Sequence, residues 1–145
     1  MRAIQLKTEH MTNPLGIGIS NPILSWVCEG GISQIAYQIV AKSGEIMVWD
    51  SGKVVSSQMS VRYGGPAAKA RERIEWSVVL WDENGQGVES ASASFEMGLI
   101  DGSWKGSWID PELPHEETRR QPSSVLRKVF QAPATEKARL YITCH

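Results

Sequence analysis

Cysteine is nearly absent: Cys28 and Cys144 lie far apart near opposite ends of the 145-residue chain, which excludes a disulfide framework and a clustered thiolate metal site. Long apolar runs are missing too. Nowhere do about eighteen apolar residues follow one another, as a membrane-spanning helix needs, and the opening "MRAIQLKTEHMTNPLG" lacks the apolar centre of a secretory leader. A soluble, cytoplasmic chain with no membrane partner is expected. Charge of one sign is also missing, because 15 Lys plus Arg stand against 16 Asp plus Glu, interspersed, for a formal net charge of -1. No basic field exists to hold a polyphosphate, so nucleic acid is excluded as a partner. The three histidines, His10, His115 and His145, share no metal-ligand spacing, and neither Gly30-Gly31 nor Gly64-Gly65 belongs to a phosphate-binding pattern. No metal and no cofactor is expected, and both glycine pairs read as turns.

Helical periodicity is a further absence, and what replaces it is strand. Short runs rich in β-branched and aromatic residues recur near residues 3–8, 23–27, 35–41, 47–51, 59–63, 74–81 and 93–97. Breakers such as "TNPLG", "EGGIS", "KSGE", "GGPAA" and "DENGQG" separate them. Seven such strands in about a hundred residues predict an all-β fold, a fibronectin III or immunoglobulin-like antiparallel sandwich. Alternation puts Tyr37, Ile39 and Ala41 on one face, and Ile74, Trp76, Val78 and Leu80 on another; these sets should be the two inner faces. In "DENGQG", Asn84-Gly85 is expected to supply positive φ angles to a hairpin loop.

Past Gly98 the texture changes. Residues 99–123 combine Gly, Pro and clustered charge and read as a connector, and strand-like runs follow at "SVLRKVF" and "ARLYITCH". The chain stops within the second run, so residues 124–145 read as an incomplete hairpin. Two strands are marginal by themselves, and these are expected to rest on another surface.

Tryptophan is the abundant residue, at positions 26, 49, 76, 81, 104 and 108. Trp76 and Trp81 are an odd number of residues apart on one strand and so point to opposite faces. Trp26 and Trp76 belong in the core. Trp49 and Trp81, in "WDSG" and "WDENG", occupy two equivalent strand ends, where an outward indole could stack on a sugar ring beside Asp50, Asp82 and Asn84. Stacking is the rival reading; Trp81, near its strand end, is expected to cover an edge or meet another domain. Trp104 and Trp108 in "GSWKGSW" are expected to seal an interface between domains. Asp50, Asp82 and Glu83 lie in strand-end loops, where acids usually form turns rather than catalytic pairs. Cys28 reads as a plain buried thiol.

The motifs "NPLG", "PILSW", "AYQIVA", "VWDSGKV", "WSVVLWDENG" and "FEMGL" come in the order and spacing of the N-terminal region of bacterial α-L-rhamnosidases of glycoside hydrolase family 78, which this chain resembles. The resemblance implies a fibronectin III-like domain at 1–98, a connector at 99–123, and the first strands of a jelly-roll sandwich at 124–145. Those enzymes hydrolyse terminal α-L-rhamnose with inversion, using carboxylates in a helical barrel much further along, so no catalytic residue transfers to this chain. Two positions depart from the family: Ile74 stands where a tyrosine is common, and Gly18 where an Asp is common after "NPLGI". The function implied is a non-catalytic accessory domain whose partners are the remaining domains of the parent enzyme. The alternatives are a carbohydrate-binding module, using Trp49, Trp81, Asp82 and Asn84 to hold rhamnose-containing saccharides, and a protein-interaction module with an open sheet edge.

Overall fold

The computed structural model describes residues 1–109, 124–135 and 138–142. The chain divides into two compact units, Met1–Lys105 and Gly106–His145. In the first, nine strands form: β1 (Arg2–Thr8), β2 (Ile23–Glu29), β3 (Gln34–Ser43), β4 (Ile46–Asp50), β5 (Val54–Val55), β6 (Ser60–Arg62), β7 (Arg73–Asp82), β8 (Gly87–Glu89) and β9 (Ala93–Glu96). The two beyond the seven expected are the short β5 and β8, each a brief return of the chain after a glycine-bearing turn. The ladders between strands are antiparallel. One sheet runs β1-β2-β6; the other runs β4-β3-β7-β8, with β5 added to β3 and β9 to β7. No helix occurs among the described residues.

Both alternating sets are buried as their phase requires, with Ile39, Val78 and Leu80 at 0% exposure and Trp76 at 1%. They do not face each other, however. Tyr37 sits opposite Leu80, Ile39 opposite Val78 and Ala41 opposite Trp76, so β3 and β7 are neighbours and the two sets form a single inner face. The opposing face is built by Ala3 of β1 and Leu24 and Trp26 of β2. Alternation fixes which side chains share a face of one strand; it carries no information about which sheet the strand joins.

Glycines close the ends of this core by close approach. A Cβ on Gly65 would lie 2.3 Å from the Tyr63 hydroxyl, and one on Gly64 would lie 3.0 Å from the Trp49 ring. Neither residue has positive φ, so this pair is a packing device and not the turn its sequence suggests. Gly98 packs on Gly16, whose carbonyl oxygen would be 3.0 Å from an added Cβ. There the "NPLG" segment runs beside the end of β9: Gly16 and Ile17 donate to the Glu96 carbonyl, and Gly98 donates to that of Ile17.

In the second unit no strand forms among the described residues, so the hairpin expected from the two runs is not seen there. Val125, Phe130, Leu140 and Ile142 are exposed.

Gly18 has ordinary φ and nothing within 4 Å of an added Cβ, so the position has room for a side chain. Gly65→Ala should therefore destabilise by about 1–3 kcal/mol through overpacking against buried Tyr63, while Gly18→Ala stays within about 1 kcal/mol of the parent. Urea denaturation midpoints of the two variants check this.

Candidate functional site

The six tryptophans divide three ways. Trp26 and Trp76 are core, at 3% and 1% exposure, and each satisfies its indole N–H: Trp26 donates to Gln34 Oε1 at 3.0 Å and Trp76 to Thr8 Oγ1 at 3.2 Å. Gln34, unremarked in the sequence, uses its whole amide. Its oxygen also accepts from the Cys28 thiol, and its nitrogen donates to the Ser56 and Gln58 carbonyls. Burial pushes the Cys28 thiol up from its ordinary pKa, consistent with a packed thiol and not a nucleophile.

Trp49 and Trp81 are both half-buried, on opposite faces of one sheet. Trp49 pairs with inward-facing Ala41 and meets Tyr63 edge-on, with centroids 5.2 Å apart. Trp81 pairs with Ala36, whose side chain faces outward. It lies on the outer side of β7, a central strand flanked by β3 and β8, and so does not cover an edge. The two local sequences fold alike, since Asp50 accepts from the Gly52 N–H and Asp82 from that of Asn84, each two residues on. Their indoles cannot share a platform. Trp49 and Trp81 meet β3 at Ala41 and Ala36, five residues apart in an unbroken stretch of alternation, which sets the two rings on opposite faces; the bulges of the β3–β4 and β3–β7 ladders lie beyond these pairs.

The strand-end acids are loop acceptors. Asp82, buried, takes the N–H groups of Asn84 and Gln86 on Oδ1, with the Met1 amino group 3.9 Å from Oδ2. Gly85 donates to the Asp82 carbonyl, and only Gly85 of the Asn84-Gly85 pair has positive φ. The loop is thus a turn closed by one left-handed glycine, and exposed Asn84 needs no special backbone. Glu83 reaches back to the N–H groups of Ile32 and Ser33. Hydrogen bonds hold the carboxyls of Asp50, Glu72 and Glu83 below their ordinary values: from Gln38 and Gly52 to Asp50, from Ser43 and Lys69 to Glu72, and from backbone amides to Glu83. No group of His, Cys, Asp and Glu suited to a metal ion occurs among the described residues; His115, His145 and Cys144 lie outside them.

Trp104 is 46% exposed in the first unit and Trp108 71% exposed in the second. Ile74 is 2% exposed and pairs with Phe95, so the position serves as plain core. An open groove of about 640 Å³ runs between β1 and residues 89–93, lined among others by Arg2, Gln5, Lys7, Asn13 and Ser92, with no aromatic in its lining.

This architecture defines an immunoglobulin-like β-sandwich whose strand-end acids Asp50, Asp82 and Glu83 are bonded to loop N–H groups. The sequence profile of the family "Rha78A-like, N-terminal immunoglobulin domain" matches residues 3–101, and the chain belongs to that family. An α-L-rhamnosidase of Formosa agariphila is 36% identical over 155 aligned positions, covering 94% of this chain and 17% of that protein. One of Streptomyces avermitilis is 40% identical over 128, covering 81% of this chain and 12% of that protein. The crystal structure of the Streptomyces avermitilis α-L-rhamnosidase complexed with L-rhamnose superposes with a TM-score of 0.67 and 38% identity, covering 75% of this chain and 12% of that one.

Truncation separates the two β7 indoles. Trp76→Ala should destabilise the chain by about 3–5 kcal/mol, as large core truncations do, and Trp81→Ala clearly less. Equal losses in denaturant titrations would contradict the placement of the two rings. Acid titration gives a second check. Depressed folded-state carboxyl pKa values stabilise fully above the unfolded values near 4 and are lost as pH falls through the folded ones, so the melting temperature should be flat from about pH 7 to 5 and fall below about pH 4. Glu72→Gln should flatten part of that fall.

Proposed function

We propose that this sandwich is a non-catalytic accessory domain of an α-L-rhamnosidase, buttressing the modules that follow it. The observation that supports this best is coverage: alignments span nearly the whole chain yet only 12–17% of the curated α-L-rhamnosidases. On this reading the parent polypeptide hydrolyses terminal α-L-rhamnose with inversion, and its catalytic carboxylates lie outside this chain. The commitment of Asp50, Asp82 and Glu83 to loop N–H groups agrees, since each would have to abandon structural bonds to act as acid or base.

Trp104 and Trp108 are the proposed anchors. Exposed indoles cost hydration free energy unless a neighbour covers them, and a following jelly-roll module whose first strands are residues 124–145 would supply the cover. The edge-recognition alternative has less support. The edge strand β1 carries a bulge between Ile4 and Lys7, a positive φ at Gln5, and the cations Arg2 and Lys7, features that deter strand addition.

The isolated 145-residue chain should release no nitrophenol from nitrophenyl α-L-rhamnoside, whereas the full-length polypeptide should. In the full-length polypeptide, Trp104→Ala with Trp108→Ala should lower the melting temperature by several degrees and shorten the thermal half-life of activity. Hydrolysis by the isolated chain, or an unchanged melting temperature, would overturn the proposal.

A further inference from the structure

The sequence holds three asparagines, Asn13, Asn21 and Asn84, and the residue after each divides them. Asn13 and Asn21 precede prolines, whose nitrogens carry no hydrogen and cannot attack a side chain. Asn84 precedes Gly85, which has an N–H to give up and no Cβ to obstruct a close approach. Both residues are exposed, and no described residue bonds the Asn84 side-chain amide. The turn around them is closed from Asp82. Its N–H donates to the Gln86 carbonyl at 3.2 Å, its carbonyl accepts from Gly85 at 2.9 Å, and its Oδ1 accepts from Asn84 at 2.9 Å and Gln86 at 3.0 Å. The Gly85 N–H is therefore committed to the Asp82 carbonyl.

We propose that Asn84 is a site of spontaneous deamidation and that the turn closed by Asp82 holds the reaction back. The only co-reactant is water. The Gly85 nitrogen, giving up its proton, bonds to Asn84 Cγ; the Cγ–N bond of the side-chain amide breaks, and ammonia leaves with that proton, so a cyclic succinimide remains. Water then opens the ring at either carbonyl, leaving aspartate or isoaspartate at this position. A nitrogen whose proton is held by a carbonyl gives it up less readily, and a closed turn resists the backbone rotation that the attack requires. The rate in the folded chain follows the opening of the turn. Isoaspartate lengthens the backbone by a methylene before Gly85, so the N–H groups of residues 84 and 86 can no longer both reach Asp82 Oδ1. The same end of the sandwich is tied by Glu83, which accepts from the Ile32 and Ser33 N–H groups, and by the Met1 amino group, 3.9 Å from Asp82 Oδ2. Modification at residue 84 loosens these ties together. The proposal is independent of the accessory role, since the chemistry belongs to the turn alone.

The test follows residue 84 by peptide mass spectrometry and ammonia release while the 145-residue chain is incubated at neutral pH, folded in buffer and, in parallel, unfolded in guanidinium chloride. Asn84 should convert to isoaspartate and aspartate in both, and about tenfold more slowly in the folded chain, the rate equivalent of one backbone hydrogen bond. Asp82→Ala should convert about threefold faster than the parent or more, with the Trp76 indole N–H signal still at its native position, which separates an open turn from a lost fold. Asn84→Gln should release far less ammonia. Where Asp82→Ala unfolds, hydrogen exchange of the Gly85 amide in the parent chain decides instead: slowed conversion must come with Gly85 exchange slowed by a comparable factor. The aged chain should melt below Asn84→Asp, which gains the charge without the methylene. No conversion at residue 84, equal rates in the folded and unfolded chains, a folded Asp82→Ala chain that converts no faster, an unprotected Gly85 amide, or an aged chain melting no lower than Asn84→Asp would overturn the proposal.

Discussion

A sandwich core is dry, and two tryptophans carry N–H donors into this one; the rest of the structure depends on finding acceptors for them. An unpaired buried donor costs about 1–3 kcal/mol, a sizeable part of the net stability of a domain this small. Trp76 of one sheet bonds Thr8 of the other, and Trp26 of the second bonds Gln34 of the first. These bonds cross the gap in both directions and pin the offset of the sheets, which apolar contacts alone leave free to slide. Gln34 extends the constraint, because its amide nitrogen holds the carbonyls of Ser56 and Gln58 where the chain leaves β5 for β6. One side chain thus aligns the sheets and fixes the crossover between them.

Much of the fold was legible because strand phase is a local property. Alternation around Ile39 and Val78 follows from the pleat, and Trp26 and Trp76 fall into the core by phase alone. That β3 and β7 are neighbours was not legible, since pairing is a long-range choice among strands of equal phase. The same blindness explains Trp49 and Trp81. Their flanking Asp and Gly produce the same local turn, yet Trp49 pairs with Ala41 and Trp81 with Ala36, an odd number of residues apart on β3, and which β3 residue each ring meets is a long-range choice that short windows do not carry. Gln34 was missed for a related reason: a buried glutamine reads as a surface residue until its four partners are assembled.

The glycines link the family motifs to the fold. "NPLG" and "FEMGL" are separated by most of the domain, and they meet where Gly98 packs on the Gly16 carbonyl. Gly64-Gly65 lets Tyr63 and Trp49 close the end of the core, and Gly87 makes room for Trp81. Only Gly16 among these uses the conformational freedom of glycine; the others use its missing side chain. A sequence reader assigns such residues to turns by default, because turn and close approach differ only in what lies opposite.

These constraints leave an unequal surface. The β1 edge is twisted by its bulge and guarded by two cations, and the acids at the strand ends are bound to loop amides, so neither offers free chemistry. The outer face of the six-stranded sheet differs, because Val55, Ala36 and Trp81 form an apolar row where the alternation of a half-exposed sheet calls for polar residues. Neither the core nor the turns require an indole there: a threonine would satisfy the strand, and glycine at 87 would then have no ring to accommodate. The large aromatic instead packs within its own row, seated on the bare backbone of Gly87 beside buried Ala36 and capped by the Lys53 ammonium 4.4 Å from its centroid, so the outer face of this sheet carries a small packed layer of its own.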